Sequence, residues 1–144
     1  MKLNYKVDNE LFKITFCPDN QGLGLNKNSN SYMQISKNLK KLKHDNKILL
    51  VVDKNINIKI TKYIIHDLKK SFPSLNVLYV TGKKKNKNLK TFFKITNKLF
   101  EKKFTKNSVL ISCGGGVIGD VSGLSASLYL RGLNYFHIPT TMTA

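Results

Sequence analysis

The sequence has 144 residues, enough for one domain or part of a larger one, and its 41% hydrophobic content allows a modest core. Its formal charge is +17, yet Arg131 is the only arginine. Nucleic-acid surfaces favour arginine for its planar fork, so lysines scattered among asparagines read as solvated surface, with a lesser role as a field for anionic substrates. No apolar run reaches the roughly 18–20 residues of a membrane helix, and polar residues break any secretory h-region after Met1. The expectation is a cytoplasmic protein with neither nucleic acid nor membrane as partner.

In chain order, Lys2 to Val7 and Leu11 to Phe16 alternate apolar and polar residues around Asp8-Asn9-Glu10, the pattern of a β-hairpin. Gln21 to Asn30, rich in Gly and Asn, predicts a loop, and Ser31 to Lys43 sets Ile35, Leu39 and Leu42 at helical spacing. Ile48-Leu49-Leu50-Val51-Val52 is a continuous apolar run, as in a strand buried on both faces, and Asp53-Lys54-Asn55 ends it. Ile56, Ile60, Ile64 and Leu68 mark one face of a helix that Ser71-Phe72-Pro73-Ser74 breaks. Asn76 to Val80 predicts a second strand, ended by Thr81-Gly82. A lysine-rich loop leads to a helix with Leu89, Phe92, Phe93, Thr96, Leu99 and Phe100 as its packed face.

Ser108 to Ser112 predicts a third strand, with Gly114-Gly115-Gly116 close behind it. Val117 to Leu130 is helical and closes at Arg131-Gly132; Tyr135 to Ile138 is a fourth strand, stopped by Pro139. Short connections between alternating strands and helices imply right-handed crossovers. The fold class is α/β: a Rossmann-like parallel sheet with helices on both faces, preceded by a β-hairpin. No linker or repeat divides residues 1–144.

The chemistry concentrates in Cys113-Gly114-Gly115-Gly116-Val117-Ile118-Gly119-Asp120, where a strand passes into a helix. Glycines let the backbone approach a pyrophosphate, and the helix N-terminus offers N–H groups and a positive dipole end. A plain turn is the alternative. No Gly-Lys-Ser/Thr follows, so this is not a Walker A loop, and it follows the third parallel strand, not the first. Asp120 is placed in the first helical turn, either compensating the dipole or serving a ligand. Asp53 and Asn55 suit a turn or ribose hydrogen bonds; Thr140 and Thr141 suit an exposed turn or the same crevice. Arg131, alone of its kind, suggests phosphate or carboxylate recognition, or a helix C-terminal cation. Cys17 and Cys113 read as small packed residues. His44 and His66 read as surface residues and His137 as a strand residue, with no metal site visible in this chain.

Taken together, Gly114 to Asp120, Tyr129-Leu130-Arg131-Gly132 and Ile138-Pro139-Thr140-Thr141 resemble the 3-dehydroquinate synthase family of sugar-phosphate cyclases, over Val109 to Ala144. Val52-Asp53-Lys54-Asn55 is similar to that family's Asp-x-Asn. The resemblance implies that residues 1–144 are an incomplete N-terminal NAD-binding domain. Asp53 and Asn55 would meet the adenosine side, and Gly115, Gly116 and Val117 the pyrophosphate. Asp120 would lie near nicotinamide, Thr140 and Thr141 would line the cleft, and Lys87 matches a family lysine. Arg131 would reach the substrate phosphate of the neighbouring subunit in a homodimer.

The family converts a seven-carbon keto-acid phosphate, 3-deoxy-D-arabino-heptulosonate 7-phosphate, to 3-dehydroquinate and phosphate in the shikimate pathway, with catalytic NAD and a divalent metal, zinc or cobalt. The helical domain holding that metal is expected to be absent here, so the isolated chain is expected to be inactive. A related cyclase such as 2-deoxy-scyllo-inosose synthase, or a truncated remnant, is the alternative. Around Lys84 lysine stands where the family has a ribose-binding glutamate, which bears on NAD affinity.

Overall fold

The computed structural model describes residues 2–7, 10–15, 39–41, 45 and 47–140. The readings of Cys17, the Gln21 to Asn30 loop, His44, Thr141 and most of the Ser31 to Lys43 helix lie outside the described residues. Strands β1 (Lys2–Val7) and β2 (Glu10–Thr15) pair antiparallel as the hairpin, with Lys2 opposite Thr15 and Val7 opposite Glu10.

The main sheet contains β3 (Ile48–Asp53), β4 (Leu75–Val80), β5 (Val109–Gly114) and β6 (Asn134–Pro139). Their order is β4-β3-β5-β6, and every pairing is parallel. All six residues of β3 and all six of β5 are buried, which explains their unbroken apolar runs. Three helices connect the strands: α1 (Ile58–Ser71), α2 (Leu89–Glu101) and α3 (Gly116–Leu128). Ile64 and Leu68 of α1 pack on Ile48, Leu50, Val52 and Ile111 on one face. Ile95 and Leu99 of α2, with Ile118 and Val121 of α3, pack on Leu49, Val51 and Leu110 on the other.

The structure corrects four details of the sequence reading. Ile56 lies before α1, whose N-cap is Asn57, although it still packs against the core. The packed face of α2 is Thr91, Ile95 and Leu99, with Phe92 and Thr96 half-buried; Leu89, Phe93 and Phe100 are 66%, 54% and 78% exposed. The aromatic residues drew the predicted face too far round the helix. α3 ends at Leu128, and Tyr129–Arg131 form a separate 3-10 turn. β5 runs on to Gly114, two residues beyond the predicted end.

Candidate dinucleotide site at the carboxyl ends of the strands

Parallel strands bring their carboxyl ends to one edge of the sheet, and the candidate residues gather there. Asp53 closes β3 and is only 9% exposed. Its Oδ1 accepts from the Asn55 N–H at 2.9 Å, the Asn55 amide Nδ2 at 2.9 Å and the Gly82 N–H at 3.0 Å. The turn reading of Asp53 and Asn55 is therefore correct at Oδ1, and Asn55 stays exposed beside it. Lys54 N–H donates to the Val80 carbonyl at 2.8 Å, joining the ends of β3 and β4. A Cβ at Gly82 would stand 2.8 Å from the Asp53 Cγ and 3.1 Å from Ile118, so only glycine allows this approach.

The glycine run divides between elements: Gly114 ends β5, Gly115 is the N-cap of α3 and Gly116 its first residue. The other two helices are capped by side chains. Asn57 accepts from Lys59 N–H at 2.9 Å, and Asn88 accepts from Thr91 N–H at 3.0 Å. Gly115 has no side chain to offer. The helix's own bonding begins with Gly119 N–H to the Gly115 carbonyl at 3.0 Å, and the N–H groups of Gly116, Val117 and Ile118 precede it. Gly115, Gly116 and Val117 are half-exposed, whereas Ile118 is buried. Thr140 N–H donates to the Gly114 carbonyl at 3.0 Å, which sets the end of β6 beside the same turn.

Asp120 is exposed and lies beyond the first turn of α3, which contains no acid. The dipole reading placed it one residue too early. It instead meets Lys87 Nζ at 2.7 Å, with both side chains more than half exposed, so the pair adds at most about 1 kcal/mol. The structure thus brings Asp53, Asn55, Gly115, Gly116, Val117 and Thr140 to one sheet edge and pairs Lys87 with Asp120. Arg131 stands on the turn after α3, exposed, with φ of 69° next to Leu130 at 48° and Gly132 at 121°. Two side-chain-bearing residues in the left-handed region cost on the order of 1 kcal/mol each, a strain placed at the chain's only arginine.

A polar network escaped sequence reading. The Ser112 hydroxyl lies 2.7 Å from both the Tyr135 hydroxyl and His137 Nδ1, and the Tyr135 hydroxyl donates to the Gly119 carbonyl at 2.9 Å. The available signal was Ser112 inside an apolar strand, in register with His137 and diagonal to Tyr135. Cys113 faces the opposite core, where burial and then the Asp53 carboxylate push its thiol up to about 12. In a Cys17→Ser chain, Cys113 is therefore expected not to react with a disulfide reagent at about pH 8 until the protein unfolds. Rapid labelling of the folded chain would contradict its burial.

An open parallel sheet with a glycine turn entering an uncapped helix defines the class: a Rossmann-like α/β fold. Solved structures share it, two among them with NAD+ bound. One is 2-deoxy-scyllo-inosose synthase in complex with carbaglucose-6-phosphate, NAD+ and Co2+, with TM-score 0.75 and 17% identity over 98% of this chain and 35% of the other. The second is 2-epi-5-epi-valiolone synthase from Streptomyces hygroscopicus with NAD+ and Zn2+, with TM-score 0.60 and 23% identity over 71% and 28%.

A family model for the 3-dehydroquinate synthase N-terminal region matches residues 77–144. The 3-dehydroquinate synthase of Pelagibacter ubique is 41% identical over 135 residues, 92% of this chain and 36% of that protein. That of Clostridium acetobutylicum is 34% identical over 114 residues, 76% and 31%. The chain belongs to the 3-dehydroquinate synthase family and spans about a third of the length of these relatives. No helix among the described residues is long and apolar enough to cross a membrane.

Proposed function

We propose that this chain is the N-terminal, dinucleotide-binding part of a 3-dehydroquinate synthase, a phosphate-eliminating carbon–oxygen lyase of the shikimate pathway. The observation that carries this reading is the uncapped N-terminus of α3, entered through Gly115 and Gly116 from the strand that pairs with the one Asp53 ends. NAD fits these residues: the N–H groups of Gly116 and Val117 suit its pyrophosphate, and Asp53 retains Oδ2 for a ribose hydroxyl. Asn55 would serve the adenosine side, and Lys87 and Asp120 would flank the site as a pair. Thr140 and Thr141 would line the crevice. When bound, NAD would supply a transient hydride acceptor; the protein's part is to fix its position.

Arg131 would reach a substrate phosphate across a homodimer, held outward by its left-handed turn. The substrate would be the seven-carbon keto-acid phosphate 3-deoxy-D-arabino-heptulosonate 7-phosphate, and the setting the cytoplasm. The described residues bring together no group of three His, Cys, Asp or Glu side chains. The family's divalent metal, zinc or cobalt, is assigned to none of them, and no step here is routed through it.

The test is Gly115→Asp, followed by calorimetric titration with NAD. Gly115 has the extended backbone of an N-cap, φ −78° and ψ −173°, which aspartate also adopts. The new carboxylate would cap the N–H groups that the pyrophosphate needs. Stability is expected to hold or rise by a few tenths of a kcal/mol, while NAD affinity falls at least about tenfold, or 1.4 kcal/mol. Unchanged affinity would overturn the reading.

A further inference from the structure

The network under α3 fixes its own proton positions. A backbone carbonyl only accepts, so the Tyr135 hydroxyl must give its proton to Gly119. Tyr135 then has only lone pairs for Ser112, and Ser112 must donate to it. Ser112, its proton spent, accepts from His137, so Nδ1 carries the imidazole hydrogen. The other ring nitrogen, Nε2, is buried with no hydrogen-bond partner among the described residues. The ring edge lies against Gly119, where a Cβ would stand 3.0 Å from both Cε1 and Nε2. The chain of donors therefore runs one way, from His137 on β6 through Ser112 on β5 and Tyr135 on β6 to the Gly119 carbonyl of α3.

Resting on the dinucleotide reading above, we infer that His137 is a positioning residue for the glycine turn. As the neutral, Nδ1-protonated imidazole it drives this chain onto the Gly119 carbonyl, and a second proton, on Nε2, disrupts it. A proton on Nε2 would be a buried donor facing glycine backbone with nothing to accept it. Turning the ring outward to relieve that strain removes the Nδ1 bond to Ser112. Gly119 is the fourth residue of α3, so losing its tie to β6 loosens the turn that presents the N–H groups.

The charged and titratable groups around the ring are Asp120 on α3, paired with Lys87, and Tyr135 on β6. Burial holds His137 below its ordinary value of 6.5, against the pull of Asp120 and the Ser112 bond, and burial keeps Tyr135 protonated by raising it. The sign follows: a depressed histidine leaves the site intact above its ordinary value and weakens it as pH falls below that value.

The test uses the 144-residue chain. Nitrogen-15 NMR of His137 is expected to show a protonated Nδ1 and a bare Nε2. NAD affinity and thermal stability of the wild type are expected to hold from about pH 8 to 6.5 and to decline on further acidification toward about pH 5. His137→Asn places an amide N–H where Nδ1 was, so it should keep affinity at neutral pH and lose the acid decline. His137→Leu should lower the folded-to-unfolded ratio by a factor of about 5–30, because it leaves Ser112 without its donor. A protonated Nε2 in the neutral ring, or an acid decline unchanged in His137→Asn, would overturn the proposal. If the chain bound no NAD at any pH, the dinucleotide reading would fail. The tautomer and the acid limb of the unfolding curve would still decide the role of His137.

Discussion

Gly114→Val is expected to destabilise the fold by about 3 kcal/mol, the upper end for overpacking a dense core. Gly114 is buried at the end of β5, and a Cβ there would lie 2.8 Å from both Cβ and Cγ1 of Ile118. Ile118 cannot move aside, since it is 2% exposed and packed among Leu49, Val51 and Leu110. Strand and helix would have to part, drawing α3 away from the crevice, so NAD affinity should fall with stability. The cause can be isolated in part by adding Ile118→Ala, which removes Cγ1 and Cγ2, two of the three atoms that Cβ would strike. The double variant should be more stable than the sum of the single effects predicts. Strict additivity in denaturant melts would show that the contact with Ile118 is not what excludes a side chain.

Asp53 makes the second large effect, and two variants divide its roles. Asp53→Ala would leave the two N–H donors of Asn55 and the N–H of Gly82 without their acceptor. The site borders solvent, so water would recover part of the loss and about 2 kcal/mol of stability should go. Asp53→Asn retains a carbonyl oxygen for the same donors and should stay within about 1 kcal/mol of wild type. It replaces the second oxygen by an NH2 group, which cannot accept a ribose hydroxyl, and removes the negative charge. NAD binding should therefore weaken in both variants while stability falls in only one. Equal binding by wild type and Asp53→Asn would limit Asp53 to organising the turn.

The parallel sheet was legible because β3 and β5 are buried on both faces and show it as unbroken apolar runs. The glycine turn was legible because Gly114, Gly115 and Gly116 interrupt a strand-to-helix passage that few other sequences require. The packed face of α2 was not. Leu89, Phe93 and Phe100 satisfy helical spacing as well as Thr91, Ile95 and Leu99 do, and periodicity alone cannot choose between two faces with similar apolar weight. Nor could spacing show the tie from Asp53 to Gly82, or from Ser112 to Tyr135 and His137. These residues are remote in sequence and meet only through the order of the strands. Lys87 was chosen through the resemblance, and its partner Asp120 became visible only when the turn after β4 was set beside α3.

The strand order also governs how the chain can fold. Parallel neighbours cannot be joined by a tight turn, so none of the three pairings in the main sheet can begin as a local hairpin. In chain order, β3 gains β4 on one side before β5 is available for the other, and β6 comes last at the edge. Such long loop closures slow folding. On the ribosome, β3, apolar from Ile48 to Val52, emerges well before its second partner and spends that interval with an unpaired, hydrogen-bonding edge. The formal charge of +17 works against that hazard without any ligand, because like-charged chains repel one another.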